Sequence, residues 1–316
     1  MEKLLVTGVD GVLGSNLALA LSDQFEVLGL YHRKPVSLDG RPAEPLDLAN
    51  PRDALDLLRD LDPDWVIHCG PQSRSSWDDV VEDPDQAFAE DSRFVGGLVQ
   101  AAEQIGCRTT VMSTDAVFVG PRLFHDEYDR LGGECLLAKA ARKMEQQLYR
   151  TQALVVRTHA YGWSPTDHDL GHAEETWKTL SSGDRCRVDA DRHATPILAS
   201  DLAEMLLRAY RMDLHGVYHI TGAERVSPFR FAAELARAFG LSGRHVQLEA
   251  PEAYNSNRRL YIQESSLNSR RARRILKTPM PMLREGLTRF AEQAANGFRG
   301  RIQHHLSAEP IRQKAA

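Results

Sequence analysis

The chain has 316 residues, 42% of them hydrophobic and 26% charged, with a formal net charge of −5, which are the proportions of a soluble globular protein of one large or two modest domains. The acidic balance argues against nucleic acid as the main partner, no uninterrupted apolar stretch reaches transmembrane length, and Met1-Glu2-Lys3 leads into a strand without a signal region. Cys69, Cys107, Cys135 and Cys186 are scattered with no C-x-x-C pair, so neither a zinc site nor a disulfide framework is indicated, and a reduced, cytoplasmic protein is expected.

Leu4-Leu5-Val6 is an apolar run of strand type, and Asn16-Leu17-Ala18-Leu19-Ala20-Leu21 is a strong helix former. Between them, Gly8-Val9-Asp10-Gly11-Val12-Leu13-Gly14 spells G-x-x-G-x-x-G, a variant of the dinucleotide fingerprint. Gly8 allows the tight turn. Gly11, followed by Val12 and Leu13, lets backbone N–H groups approach a pyrophosphate, and Gly14 lets the helix pack close to the strand. Phe25 to Leu30 reads as a second strand, whose tip in such a fold faces the adenosine ribose. The tip here is Tyr31-His32-Arg33-Lys34, with no acid to accept from a 2′-OH. Its positive charges favour NADP(H) over NAD(H), although the same residues also read as a solvated basic loop.

Pro45-Leu46-Asp47-Leu48 reads as a short strand, with Asp47 placed either to meet the adenine or to cap the helical stretch from Pro51 to Leu61. Asp64 to Gly70 is a buried strand ending in Cys69 and Gly70, small residues where a cofactor crosses the sheet. A helix from Asp85 to Ile105 precedes the strand Thr109 to Asp115, which carries the hydroxyls of Ser113 and Thr114 at its carboxyl end, where open α/β sheets bind ligands. This alternation predicts an α/β fold with a Rossmann-type, doubly wound parallel sheet.

The run Met112-Ser113-Thr114-Asp115-Ala116-Val117-Phe118-Val119-Gly120 resembles the S-T-D-x-V-F-x-G signature of the dTDP-4-dehydrorhamnose reductase group of extended short-chain dehydrogenases. Val156-Arg157-Thr158 with Tyr161-Gly162, Ala194-Thr195-Pro196 with Ser200-Asp201-Leu202-Ala203, and Gly216 to Gly222 resemble further segments of that group in the same order. So does the stretch from Arg258 through Ser265-Ser266-Leu267-Asn268 to Gly286-Leu287. The resemblance covers roughly residues 1 to 292.

The resemblance implies reduction of a 4-keto sugar on a nucleotide by a Ser/Thr–Tyr–Lys set. Tyr gives a proton to the carbonyl oxygen, Lys holds the nicotinamide ribose and lowers the Tyr pKa, and the hydroxyl of Ser113 or Thr114 polarises the carbonyl. Tyr and Lys stand at i and i+4 on one helix. Here the Lys falls on Lys139 and the Tyr position on Cys135, and the Asn expected on the preceding long helix is Asp91. A thiol beside a lysine is expected to have a lowered pKa, yet it ends several bond lengths short of a phenol. Tyr128, in an apparent loop, is the candidate substitute acid. Loss of the Tyr leaves three implied outcomes: an NADP(H)-dependent reductase of a nucleotide-linked 4-keto sugar, a catalytically inactive, cofactor-binding regulatory subunit on the same fold, or changed chemistry such as an epimerase or a reductase with Tyr128 as acid.

Beyond residue 160 a smaller, discontinuous α/β substrate domain is expected. The dinucleotide-binding domain then comprises 1–160 and 196–222, the substrate domain 161–195 and 223–295, and 296–316 a loose tail. Helices are expected over Leu198 to Met212, Phe229 to Phe239 and, last, Leu283 to Phe290. Asp115, Arg187, Arg192 and Arg258, with Arg185 and Arg259 nearby, are the candidate contacts to a nucleotide-linked sugar, each arginine alone also reading as solvated surface. His168-Asp169-Leu170-Gly171-His172 has helical metal-ligand spacing but no third ligand, so no metal is expected and a polar loop is the plain reading. Arg270-Arg271-Ala272-Arg273-Arg274 reads as a solvated helix face. The expected partners are a nucleotide sugar or related small molecule, and a second copy or a regulatory partner.

Overall fold

A computed structural model of the protein describes residues 1–46, 53–78, 84–167, 169–249 and 264–302. In chain order the elements are β1 (Lys3–Thr7), α1 (Val12–Leu21), β2 (Glu26–Tyr31), β3 (Ser37–Leu38), β4 (Arg41–Pro42), β5 (Glu44–Pro45), α2 (Asp53–Leu61), β6 (Trp65–His68), α3 (Pro84–Ile105), β7 (Arg108–Thr114), α4 (Leu136–Leu148) and β8 (Leu154–Thr158). The second half adds β9 (Ala160–Tyr161), α5 (His172–Ser181), β10 (Cys186–Val188), β11 (Ile197–Leu198), α6 (Ala199–Arg211), β12 (Gly216–His219), α7 (Pro228–Ala238), β13 (Val246–Leu248), α8 (Arg270–Leu276), α9 (Leu283–Ala295) and α10 (Phe298–Ile302).

Leu4, Leu5 and Val6 are completely buried because the central strand is covered on both faces. Their alternation sorts the two layers. Leu4 and Val6 pack with Leu13 and Leu17 of α1 and Leu202 and Leu206 of α6, whereas Leu5 packs with Leu58 of α2 and Phe94 and Leu98 of α3. The main sheet has seven strands in the order β12-β8-β7-β6-β1-β2-β5, every pair parallel. The chain moves outward from β1 to β2, then returns to place β6 on the other side of β1, with Thr7 opposite both Leu30 and His68. That reversal makes the carboxyl ends of β1 and β6 a topological switch point, the place where this architecture forms a crevice. The fold is the Rossmann-type α/β class that the alternation predicts.

A second core lies beyond the sheet. Trp163 stacks on Phe290 with centroids 4.0 Å apart, and Tyr161, Phe231, Leu235 and Leu287 fill the space around them. Two short parallel pairs, β9–β11 and β10–β13, flank it. Within the stretch expected to be a loose tail, Phe298–Ile302 forms α10, so α9 is not the last helix among the described residues. α10 docks through Ile302, which is fully buried, while Arg301 pairs with Asp39 at 2.9 Å and Arg299 with Glu174 at 2.8 Å. Among the described residues no helix is long and apolar enough to cross a membrane.

Candidate functional site

A cleft of about 1040 Å³, open mouth included, occupies the switch point. Its wall runs from His32, Arg33 and Leu46 at one end, past the glycine turn and Cys69–Gly70, to Ala160, Tyr161, Gly171 and His172 at the other. Gly8 turns at φ +70°, where a Cβ would lie 2.0 Å from the Cys69 carbonyl oxygen, and a Cβ on Gly14 would lie 2.3 Å from that of Gly8. The fold itself requires both glycines. Gly11 differs, because its φ of −100° suits any residue and a Cβ there would stand 3.4 Å from its nearest neighbour, the Gly8 oxygen. What a side chain at 11 would obstruct is the approach to α1. The N-cap, Gly11, has no side chain to cap that helix, so its first-turn N–H groups, with Val12 and Leu13 on the wall, present the positive end of a helix dipole to the cleft. An uncapped helix start beside a position left without a side chain fits a pyrophosphate.

The ribose end contains an acid that the strand-end reading did not place there. Asp10, inside the glycine turn, accepts the backbone N–H groups of His32 at 3.2 Å, Arg33 at 2.9 Å and Lys34 at 3.3 Å. It thereby holds the basic loop against the turn. His32 and Arg33 line the cleft, while Lys34 is exposed and stands off the wall. Asp91 presses on Gly70, where a Cβ would meet its carboxylate at 2.4 Å. It pairs with His68 at 3.2 Å, whose other nitrogen lies 2.8 Å from the Thr7 hydroxyl. Asp47 and Arg258 lie outside the described residues.

The carboxyl end of β7 is closed. Ser113 is fully buried and donates to Glu145 at 2.6 Å, which also holds Arg157 at 2.6 Å. The Thr114 hydroxyl accepts the Ala116 N–H at 3.1 Å, capping a 3-10 turn over Asp115–Val117. The buried Asp115 accepts from the Ser76 N–H at 3.0 Å and hydroxyl at 2.7 Å, from Ser265 at 2.6 Å and from His159 at 2.8 Å. Burial raises its pKa, but His159 and the two serines outweigh that and hold it below the usual carboxylate range. A 3-10 turn over Pro71–Ser73 and the buried Ser75, Ser76 and Trp77 pack into the space between this strand end and the cleft. Ser113, Thr114 and Asp115 therefore do not line it.

The expected acid–base positions also stand apart from the cleft. Cys135 is the N-cap of α4, its sulfur accepting the Ala138 N–H at 3.4 Å. Burial pushes the thiol pKa up rather than down, because the lysine expected to lower it points elsewhere. The Lys139 side chain is 55% exposed and pairs with Glu134 at 3.5 Å. Helical phase is the reason. Leu137, Ala141 and Glu145, spaced by four, share the buried face, and position 139 falls on the other side. Tyr128 is 84% exposed, with the Arg271 guanidinium 5.9 Å from its ring, and it does not fold inward.

The far end of the cleft holds groups that the sequence reading passed over. Arg74 forks onto Asp169 with two contacts of 2.9 Å. Asp78 accepts the His172 backbone N–H at 2.9 Å and lies 2.8 Å from its Nδ1. Burial raises the Asp78 pKa, but the contacts with His172 and the charge of Arg74 prevail and hold it below the usual range. Burial holds His172 below an ordinary histidine. The H-D-L-G-H spacing was the signal available; His172 opens α5, and His168 lies outside the described residues. A second cavity of about 1060 Å³ adjoins this end and collects Arg185, Arg187 and Arg192. Arg192 is held by Asp189 at 2.7 Å.

The family profile described as RmlD substrate binding domain matches residues 1–296. The probable low-salt glycan biosynthesis reductase Agl14 of Haloferax volcanii is 27% identical to this chain, over 74% of the chain and 79% of the relative. Methionine adenosyltransferase 2 subunit beta of Rattus norvegicus is 25% identical, over 78% of the chain and 75% of the relative. In fold, the crystal structure of dTDP-4-dehydrorhamnose reductase from Bacillus anthracis in complex with NADP superposes with a TM-score of 0.77 at 21% identity, covering 93% of this chain and 99% of that one.

Proposed function

The chain belongs to the RmlD substrate binding domain family, that of the dTDP-4-dehydrorhamnose reductases, and from this premise we propose that it is an NADP(H)-binding oxidoreductase of nucleotide-linked sugars whose proton is not delivered from positions 135 and 139. The observation that carries the reading is the contrast between the two halves of the crevice. The anion cradle at Gly11 and the uncapped start of α1 are open, while Ser113, Thr114 and Asp115 are engaged with groups of the chain.

In this reading the first turn of α1 holds the pyrophosphate, and His32 and Arg33 face the adenosine ribose and its 2′-phosphate. Cys69 and Gly70 let the cofactor cross the sheet. NADP(H), when bound, supplies the hydride donor or acceptor. The chain excludes water from the far end by packing Trp77, Tyr161 and Phe231 around His172.

A second reading, a cofactor-binding regulatory subunit without turnover, is favoured by the closed end of β7. Fluorescence titration with NADPH and NADH, followed by addition of dTDP-4-dehydrorhamnose, separates the two. NADPH binding tighter than NADH, with consumption of NADPH on adding the sugar, supports the first reading. Binding without consumption across a panel of nucleotide-linked keto sugars supports the second, and no binding of either cofactor sinks both.

A further inference from the structure

We propose that His172, held by Asp78, is the group that exchanges a proton with an oxygen of the bound sugar. The proposal rests on the NADP(H) reading and supplies the proton relay that positions 135 and 139 do not.

Position is the first argument. Among the described residues His172 is the one that lines both the cleft and the second cavity, so it stands where a ligand of the second cavity meets the end of the cleft away from Arg33. The walls of that cavity fit a polyhydroxylated ring. Trp77 and Phe231 offer apolar faces, and Arg187, Glu175 and Glu249 offer donors and acceptors of both signs.

Geometry is the second. The Asp78 carboxylate lies 2.8 Å from Nδ1 and also takes the His172 backbone N–H at 2.9 Å, while its other oxygen accepts the Ser75 N–H at 3.0 Å. An ionised carboxylate is acceptor-only, so it fixes the ring proton on Nδ1 and leaves the lone pair on Nε2. Nε2 is buried and has no hydrogen-bond partner among the described residues, an arrangement that a ligand hydroxyl completes. The ring cannot turn away, because Trp77, His159 and Phe231 stand around it with centroids 5.3, 5.2 and 5.2 Å distant.

The chemistry follows from that tautomer. With NADP⁺ bound as hydride acceptor for the sugar carbon, the hydroxyl O–H bond would break with its proton passing to Nε2, and the electron pair left on oxygen would become the second bond of the carbonyl. Asp78 stabilises the imidazolium, which releases its proton to solvent once the product leaves; in the reducing direction Nε2 first takes a proton from solvent before the keto sugar closes the site and then gives it to the carbonyl oxygen. The groups around the ring keep it neutral beforehand. Asp78 and Arg74 face it from the segment after β6, and His159 and Tyr161, with Asp115 behind His159, from the β8–β9 side, and burial outweighs the attraction of the two carboxylates.

The test uses the full chain labelled with ¹⁵N-histidine. At neutral pH, His172 is expected to carry its proton on Nδ1, to lose that preference in Asp78→Asn, and to shift at Nε2 on addition of dTDP-glucose alone. In His172→Gln, NADPH affinity is expected to hold while turnover of the nucleotide-linked sugar falls by roughly 10²–10⁴-fold, the usual worth of a positioned acid–base group. An unmoved Nε2 signal in the presence of dTDP-glucose, full turnover in His172→Gln, or an NADPH-binding wild type that exchanges no hydride with any of the sugars overturns the proposal. Failure to bind NADPH at all strikes the cofactor reading instead, and the Nε2 response to dTDP-glucose still judges the dyad.

Discussion

The Ser113 hydroxyl donates a 2.6 Å hydrogen bond to Glu145 where β7 ends, inside the protein and away from the cleft. Glu145 at the same time neutralises the buried Arg157. Removing the hydroxyl leaves a buried carboxylate short of one donor. Ser113→Ala should therefore lower the unfolding free energy by about 1.5–3 kcal/mol, the range for hydrogen bonds to charged groups, and leave NADPH affinity unchanged. Urea unfolding alongside fluorescence titration checks both. A variant of wild-type stability that has lost turnover would show that Ser113 faces substrate after all.

Cys135 and Lys139 should behave as surface and capping residues. Cys135→Ala removes the acceptor for the Ala138 N–H and should cost about 0.5–2 kcal/mol, whereas Cys135→Ser supplies a better cap and should hold or raise stability. Lys139→Ala loses an exposed pair with Glu134 worth less than about 1 kcal/mol. Thermal melts and steady-state rates report the outcome, and a hundredfold rate loss in Lys139→Ala would restore the relay to that position.

Two glycines of the turn, Gly14 and Gly11, should separate by mechanism. A Cβ at Gly14 meets the Gly8 oxygen at 2.3 Å, so Gly14→Ala should destabilise the whole β1–α1 unit. Gly11→Ala meets nothing closer than 3.4 Å and should cost the fold no more than about 1 kcal/mol as a poorer helix cap. Its NADPH affinity should nevertheless fall at least tenfold by calorimetry. Equal affinity in wild type and Gly11→Ala would move the phosphate away from α1.

Arg33 is expected to carry the choice between cofactors. Its backbone is fixed by Asp10, so the side chain emerges at the ribose end from an anchored stem. Arg33→Ala should weaken NADPH about tenfold or more and leave NADH nearly unchanged, since only the former carries the 2′-phosphate. A parallel loss for both would mean that Arg33 serves the loop rather than the phosphate.

The parts of this fold that rest on neighbouring residues were legible in the sequence. The G-x-x-G-x-x-G turn occupies seven consecutive residues, Gly8 to Gly14, and the apolar run at 4–6 and the β-branched, apolar run at 109–112 name central strands because a strand buried on both faces favours such residues. The closed end of β7 was not legible. It forms where Ser76, His159 and Ser265 converge on Asp115 from three distant segments, and nothing local marks a serine for that contact. The outward phase of Lys139 was not legible for a different reason. A lysine four residues after a candidate position satisfies the spacing on any face of a helix, and only the burial of Leu137, Ala141 and Glu145 fixes the phase. Asp10 and Asp78 act on backbone N–H groups, which no side-chain motif records.

Acid should destabilise the protein before its carboxylates titrate. His219 is completely buried, and burial first, then the charge of Arg157, hold its pKa well below the ordinary value. Burial likewise lowers His172 and His125, the latter against the pull of Asp129. In the unfolded chain each of the three binds a proton as the pH falls through about 6.5, while the folded chain does not. The unfolded state then holds more protons, so stability is full above that pH and is lost as the pH falls toward the folded pKa values, with a slope of up to about 1.4 kcal/mol per pH unit for each histidine. Asp78 and Asp115, held below their usual range, add loss in the same direction, but only below about pH 3.9, where unfolded aspartate protonates. Urea unfolding between pH 7 and 5 should show a falling free energy, and His219→Gln should flatten the slope by about one histidine's share. A flat profile across that window in the wild type would mean that the three rings take up protons in the folded state as readily as in the unfolded one.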